Sequence, residues 1–311
     1  MSHVVIQLPK NQIIKLQQFY QNELLNKNVP YTQFVAKKNG TTITAYTSGK
    51  ILFQGASAEQ EASRWQDTVA TPGVTASNKK QGNQTLPKNL ASLPFIGSDE
   101  VGNGSYFGPL IVCAVYADQE HLPLLKQLGV KDSKMLTDSD IRGLAPKIKA
   151  LVPFKLLEVT PTKYNQIQPR YNAVHMKVVL HNQAIRLLLE MIAPTKPEGI
   201  LIDQFTPESS YRKYLKGEAE QVTDNLYFVT KGEQYHLAVA AASILCRAQF
   251  LDSLDIGSKE VGFTLPSGAG TKSDQVAAKI LRKGGMELLG QHAKLHFANT
   301  KKAQKLAGDF E

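Results

Sequence analysis

The sequence predicts two domains: a small α+β domain, then a larger α/β domain built on a mixed sheet flanked by helices. Three observations carry this expectation. Strand-like runs punctuated by turn signals crowd residues 1–68, apolar periodicity lapses over 69–92, and from 93 an antiparallel pair of apolar runs gives way to alternating helices and strands over 93–311.

In the first domain, Val4 to Leu8 reads as a strand, and Ile13, Ile14, Leu16, Phe19, Tyr20, Leu24 and Leu25 recur at helical spacing. Three strand-like runs follow, Tyr31 to Ala36, Thr41 to Thr47 and Ile51 to Gln54, separated by Asn39-Gly40 and Ser48-Gly49. Ser57 with Gln60 three residues on has the pattern of a capping box, opening a short helix from about 58 to 67. The stretch 69–92, rich in Thr, Pro, Gly, Ser, Asn, Lys and Gln, reads as a linker whose Lys79, Lys80 and Lys88 are solvated.

In the second domain, Phe95 to Glu100 leads through Gly102-Asn103-Gly104 to a second apolar run, Leu110 to Tyr116, a hairpin with Asp99 and Glu100 at its tip. Successive strand residues face opposite ways, so these two acids converge only if the strand ends or bulges there, which Gly102 and Gly104 permit. A helix after Thr137, a strand from Phe154 to Thr160 and a helix over 173–192 come next. The short run Gly199 to Asp203 has the look of a buried parallel strand ending in a carboxylate. A helix near 208–215 precedes another buried strand, Leu226 to Thr230, and Glu233 lies just past it. An alanine-rich helix runs from about Leu237 to Leu254.

The formal charge of +9 is concentrated near the N-terminus: residues 1 to 90 hold 10 Lys+Arg against 4 Asp+Glu. Such asymmetry suits a polyanion, and equally a solvated surface. No run approaches the roughly 18 to 20 apolar residues of a membrane span, and no signal-peptide pattern opens the chain, so a cytoplasmic protein is expected. Cys113 and Cys246 lie inside apolar runs and read as buried free thiols.

Four acids, Asp99, Glu100, Asp203 and Glu233, thus fall beside strand ends that one sheet can gather. Ungathered, each is an ordinary surface or capping acid; gathered, they repel one another unless cations sit between them. Oxygen ligands without a Cys/His cluster suit Mg²⁺ or Mn²⁺, and a pair of such ions serves phosphoryl displacement. On a basic protein this points to a nuclease.

The motifs Asp99-Glu100-Val101-Gly102-Asn103-Gly104, Lys131-Asp132-Ser133-Lys134, Ile202-Asp203, and Lys231-Gly232-Glu233 followed by Ala240-Ala241-Ala242-Ser243-Ile244 resemble the type 2 ribonuclease H family, in the family's order. The N-terminal domain, the Ser105 to Pro109 continuation and Glu233 are most similar to the ribonuclease HIII branch. The resemblance implies a ribonuclease H-like mixed sheet preceded by a TBP-like substrate-binding domain. It also implies hydrolysis of the RNA strand of RNA/DNA hybrids, with Asp99, Glu100, Asp203 and Glu233 as catalytic metal ligands for Mg²⁺ or Mn²⁺. Gly102, Asn103 and Gly104 would contact ribose 2′-hydroxyls, and Asn103 stands where ribonuclease HII has arginine; Ser133 and Lys134 read equally as holders of the substrate phosphate and as a simple helix-entry turn. A monomer without membrane contact is expected. The competing reading is a noncatalytic nucleic-acid-binding protein that keeps the fold. His175 and His181 are read as structural hydrogen-bonding residues. So is His236, with proton transfer open because Glu233 is near. Lys294, Lys301, Lys302 and Lys305 are read as a solvated helix face.

Overall fold

The computed structural model describes residues 3–25, 29, 32–55, 57–66 and 86–308. The chain divides into two compact units at Asn83/Gln84.

In the first unit, strands β1 (His3–Gln7), β2 (Thr32–Lys38), β3 (Thr41–Tyr46) and β4 (Lys50–Gly55) form an antiparallel sheet in the order β1-β4-β3-β2. Helices α1 (Lys10–Phe19) and α2 (Ala58–Gln66) supply Ile13, Leu16, Ala62 and Trp65 to a core shared with Ile43, Ile51 and Phe53. The first helix ends earlier than its apolar spacing suggests. Tyr20 is fully buried, its hydroxyl donating to Glu61 at 2.7 Å, and Leu24 already bridges to Ala36 of β2. Because side chains alternate along a strand, Val5, Lys37, Thr42, Thr44, Lys50 and Leu52 fall on the sheet face opposite this core.

In the second unit, β5 (Phe95–Val101), β6 (Leu110–Ala117), β7 (Phe154–Val159), β8 (Gly199–Asp203) and β9 (Leu226–Val229) make a mixed sheet in the order β7-β6-β5-β8-β9. β5–β6 and β6–β7 pair antiparallel, whereas β5–β8 and β8–β9 are parallel. All eight residues of β6 are buried because helices cover both faces. On one side Ile111, Cys113 and Val115 pack with α8 (Leu237–Val261), α4 (Asp138–Leu151, opened by a Thr137/Asp140 capping box) and α9 (Thr271–His292, broken at Gly284–Gly285). On the other side Leu110, Val112 and Ala114 pack with α6 (Ala173–Ile192) and α7 (Glu208–Leu215). Shorter helices α3 (His121–Gln127) and α5 (Pro161–Ile167) and the final α10 (Ala298–Ala307) complete the unit.

Most of the stretch read as a linker, 69–85, lies outside the described residues. Residues 86–92 are described, and Leu90 is buried with Phe95, Leu201 and Val239 of the second unit. Both cysteines are buried free thiols.

Candidate active site

β5 is the strand on which the site is built, and it serves both layers by simple alternation. Gly97 and Asp99 face α8, while Ile96, Ser98 and Glu100 face α6. The anticipated bulge is not there. Register with β6 is unbroken from Phe95↔Ala117 to Val101↔Ile111, so Asp99 and Glu100 point to opposite faces from within a paired strand, rather than converging at a hairpin tip. The bend comes later. Gly102 has φ of +98°, and a Cβ there would stand 2.0 Å from the Pro109 carbonyl oxygen, so glycine is required; a Cβ on Gly104 would meet nothing.

Ser98 is level with Ile202 in the parallel pair, so Asp99, two residues before the end of β5, follows beside Asp203, the last residue of β8. Beyond β9, Lys231 adopts left-handed φ/ψ (60°, 48°) and turns the chain back, and the Gly232 amide donates to Asp203 Oδ1 at 2.8 Å. That turn delivers Glu233. Its side chain is 5% exposed and Oε1 has no hydrogen-bond partner among the described residues; Lys134 Nζ, on a side chain 77% exposed, forms a longer ion pair with it at 3.7 Å.

Burial, reinforced by the charges of Glu100 and Asp203, raises the Asp99 carboxyl to about 7, against the opposing hydrogen bond of Ser243. Glu100 behaves oppositely. Burial alone would raise it, but His181 and then Lys177 outweigh burial and hold it below the usual range. Lys177 Nζ donates to Glu100 Oε1 at 2.8 Å, and His181 Nε2 lies 2.9 Å from Oε2. Phe205 backs both side chains, stacked on His181 with centroids 5.0 Å apart and beneath the Lys177 ammonium at 4.0 Å.

Ser133 and Lys134 reach the site from a short turn in which the Asp132 carboxylate accepts the Lys134 amide. The Ser133 and Ser243 hydroxyls are 2.9 Å apart, which links this turn to the Asp99 partner on α8. Asn103 and Gly104 are exposed in the β5–β6 turn. The donor set, four carboxylates of which one is raised by burial and by its acidic neighbours and one keeps a buried oxygen without a hydrogen bond among the described residues, fits hard divalent cations. Among the described residues no three acidic, histidine or cysteine side chains are drawn around a single point at ligand distance. Glu100 is turned onto Lys177 and His181, and Asp203 onto the Gly232 amide.

Two sequence readings need correction. Lys294 is not solvated: it is fully buried, donating to the carbonyls of Ser105 (2.9 Å) and Gly108 (2.5 Å), and burial lowers it to about 7. It pins the turn that follows Gly104. Nor has His236 a free nitrogen for proton transfer. Nδ1 accepts the Ala238 amide as the cap of α8, which leaves Nε2–H to donate to the Leu93 carbonyl at 3.0 Å. Lys177 and Phe205 have no assigned role in the sequence, and Ser243 figures there only within the small-residue motif of α8. The i,i+4 pair Lys177 and His181, on an otherwise apolar helix face, was the available signal.

Comparison with known proteins bears on the family. The Ribonuclease HII family profile matches residues 96–300, and a domain of unknown function, DUF3378, matches residues 3–80. Ribonuclease HIII of Enterococcus faecalis is 62% identical over 302 residues, covering 97% of this chain and 98% of that protein. The chain belongs to the type 2 ribonuclease H family, in its ribonuclease HIII branch. Ribonuclease HIII of Bacillus mycoides is 48% identical over 305 residues, covering 97% of this chain and 98% of that protein. The crystal structure of Bst-RNase HIII in complex with Mn²⁺ superposes with a TM-score of 0.70 at 41% identity, covering 99% of this chain and all of that one. Aquifex aeolicus RNase H3, at 23% identity and a TM-score of 0.52, shares the fold over 94% of this chain and 99% of its own. Members of the family are divalent-metal-dependent ribonucleases, and this chain is a ribonuclease of that kind.

Proposed function

We propose that this ribonuclease HIII cuts the RNA strand of RNA/DNA hybrids at internal phosphodiesters, leaving 5′-phosphate and 3′-hydroxyl ends, as a monomer in the cytoplasm. Asp99, Glu100, Asp203 and Glu233 hold two Mg²⁺ or Mn²⁺ ions. When bound, such a pair activates the attacking water and stabilises the leaving oxygen. The observation that carries the reading is the buried Glu233 Oε1, without a hydrogen bond among the described residues, returned by the Lys231 turn toward the sheet region where Asp99 lies beside Asp203.

The chain's own groups divide the remaining tasks. Lys134, exposed beside Glu233, and Ser133 receive the scissile phosphate. Asn103 and Gly104 present backbone to the minor groove, where 2′-hydroxyls distinguish RNA from DNA. Lys294 keeps that turn in place from behind. Residues 1–68 act as the TBP-like gripping domain joined by the 69–92 linker to the catalytic residues 93–311, and the open sheet face with Lys37, Lys50 and Thr44 meets the duplex backbone.

The test is incubation with an end-labelled hybrid and either Mg²⁺ or Mn²⁺. Cleavage of the RNA strand alone, with no product in chelator, is expected. Intact RNA under every metal condition defeats the proposal in favour of a noncatalytic binder.

A further inference from the structure

A buried lysine on α6 is the least expected member of this site. The Lys177 side chain is 6% exposed, and placing an ammonium there is costly unless it is paired. Its pairing is complete: Glu100 Oε1 at 2.8 Å on one side and the Phe205 ring at 4.0 Å on the other. One turn along the helix, His181 takes the other oxygen of the same carboxylate and stacks on the same ring. Both Glu100 oxygens are therefore engaged by side chains that are themselves buried. Phe205, two residues beyond Asp203, props the pair from the neighbouring strand end.

We propose that Lys177 is a resident cation of the active site that competes with divalent metal for Glu100. The inference rests on Glu100 being a metal ligand, as proposed above. An ion bound to Oε1 would lie within a few ångströms of a positive charge that has little water to screen it, and the two would repel strongly. Metal entry at this carboxylate then requires the ammonium to yield. Lys177 accordingly sets how tightly the site holds metal in the absence of nucleic acid. It is a positioning residue for Glu100, and it contacts no reacting atom. A purely architectural salt bridge between α6 and β5 predicts something different: its removal loosens the fold and leaves metal affinity unchanged or weaker.

The experiment is calorimetric titration of Mn²⁺ into the full-length protein without nucleic acid, with thermal melts as a check on folding. Six proteins are compared: unmodified, Lys177→Met, Lys177→Gln, Lys177→Arg, Glu100→Gln and the Lys177→Met/Glu100→Gln double variant. Lys177→Met should bind Mn²⁺ roughly tenfold or more tightly, the scale set by removing one unit charge beside a divalent ion. Lys177→Gln, which can still donate to Glu100 but carries no charge, should tighten binding likewise, and Lys177→Arg should restore ordinary affinity. Glu100→Gln should weaken binding and erase the effect of Lys177→Met. Weakening by Glu100→Gln without any tightening in the neutral Lys177 variants overturns this inference and leaves the four-acid site standing. Unchanged affinity in Glu100→Gln removes Glu100 from the ligand set and overturns both.

Discussion

Gly97→Ala is the sharpest test of how β5 is held. A Cβ at Gly97 would stand 2.2 Å from the Val239 amide nitrogen, 2.4 Å from the Ala238 carbonyl carbon and 2.8 Å from the Val239 Cα. All three atoms are backbone of the first turn of α8, so no side chain can swing aside. Ordinary carbon contacts need about 3.5–4 Å, so strand and helix must part by about 1 Å. Overpacking a close-fitted core costs ~1–3 kcal/mol, and a backbone-to-backbone wedge belongs at the upper end. For a unit of this size ~3 kcal/mol lowers Tm by roughly 6–12 °C. Calorimetric melting of the full chain measures it, with Gly104→Ala as the control, since its added Cβ meets nothing and should leave Tm within about 1 °C. Moving α8 also draws Ser243 away from Asp99, so hybrid cleavage should fall at least about tenfold, taking one lost positioning interaction as ~1.4 kcal/mol. A Gly97→Ala protein that melts with the unmodified one would refute the close β5–α8 approach.

Asp99→Asn should abolish hybrid cleavage yet leave hybrid affinity within a few-fold, measured by fluorescence anisotropy; residual cleavage at the unmodified rate excludes Asp99 from the ligand set. The same residue governs pH dependence in chelator. Its carboxyl, 3.8 when unperturbed and about 7 in the fold, keeps a proton that the unfolded chain releases, so its contribution to stability is full below about pH 4 and declines as pH rises to about 7. The loss is up to ~4 kcal/mol, and Asp99→Asn should flatten the curve in urea melts. Lys37→Glu with Lys50→Glu should weaken hybrid binding and reduce its salt dependence while kcat stays within about twofold, because phosphate contacts set affinity rather than chemistry; equal affinity rules out the open sheet face. His236→Ala should cost ~1–2 kcal/mol through the lost α8 cap, and His236→Asn should recover part of it.

Much of this was legible in the chain. The four acids were found because strands announce their ends: an apolar run that stops on a carboxylate is visible without coordinates, and three such runs fall in one sheet. Where the acids point was not legible. Whether Asp99 and Glu100 share a face depends on the ladder to β6, where they pair with Cys113 and Val112, contacts that no local pattern specifies. Lys294 was misread for a related reason. A lysine near a polar C-terminal helix is ordinarily solvated, and only the tertiary approach of the Ser105 and Gly108 carbonyls converts it into a buried clamp. His236 shows the same limit in miniature, since capping geometry and proximity to Glu233 are equally compatible with its position in sequence.

The alternation of β5 makes the sheet a partition with one acid in each room. Asp99 is packed in the compartment of α8, where burial and Ser243 act on its proton affinity together with the charges of Glu100 and Asp203; Glu100 is packed in the compartment of α6, where His181 and Lys177 hold it ionised and Phe205 backs them. The two rooms have separate cores. The partition is not insulated: the charge of Glu100 raises Asp99 through the strand, so repacking the α6 compartment retunes Glu100 directly and Asp99 at one remove.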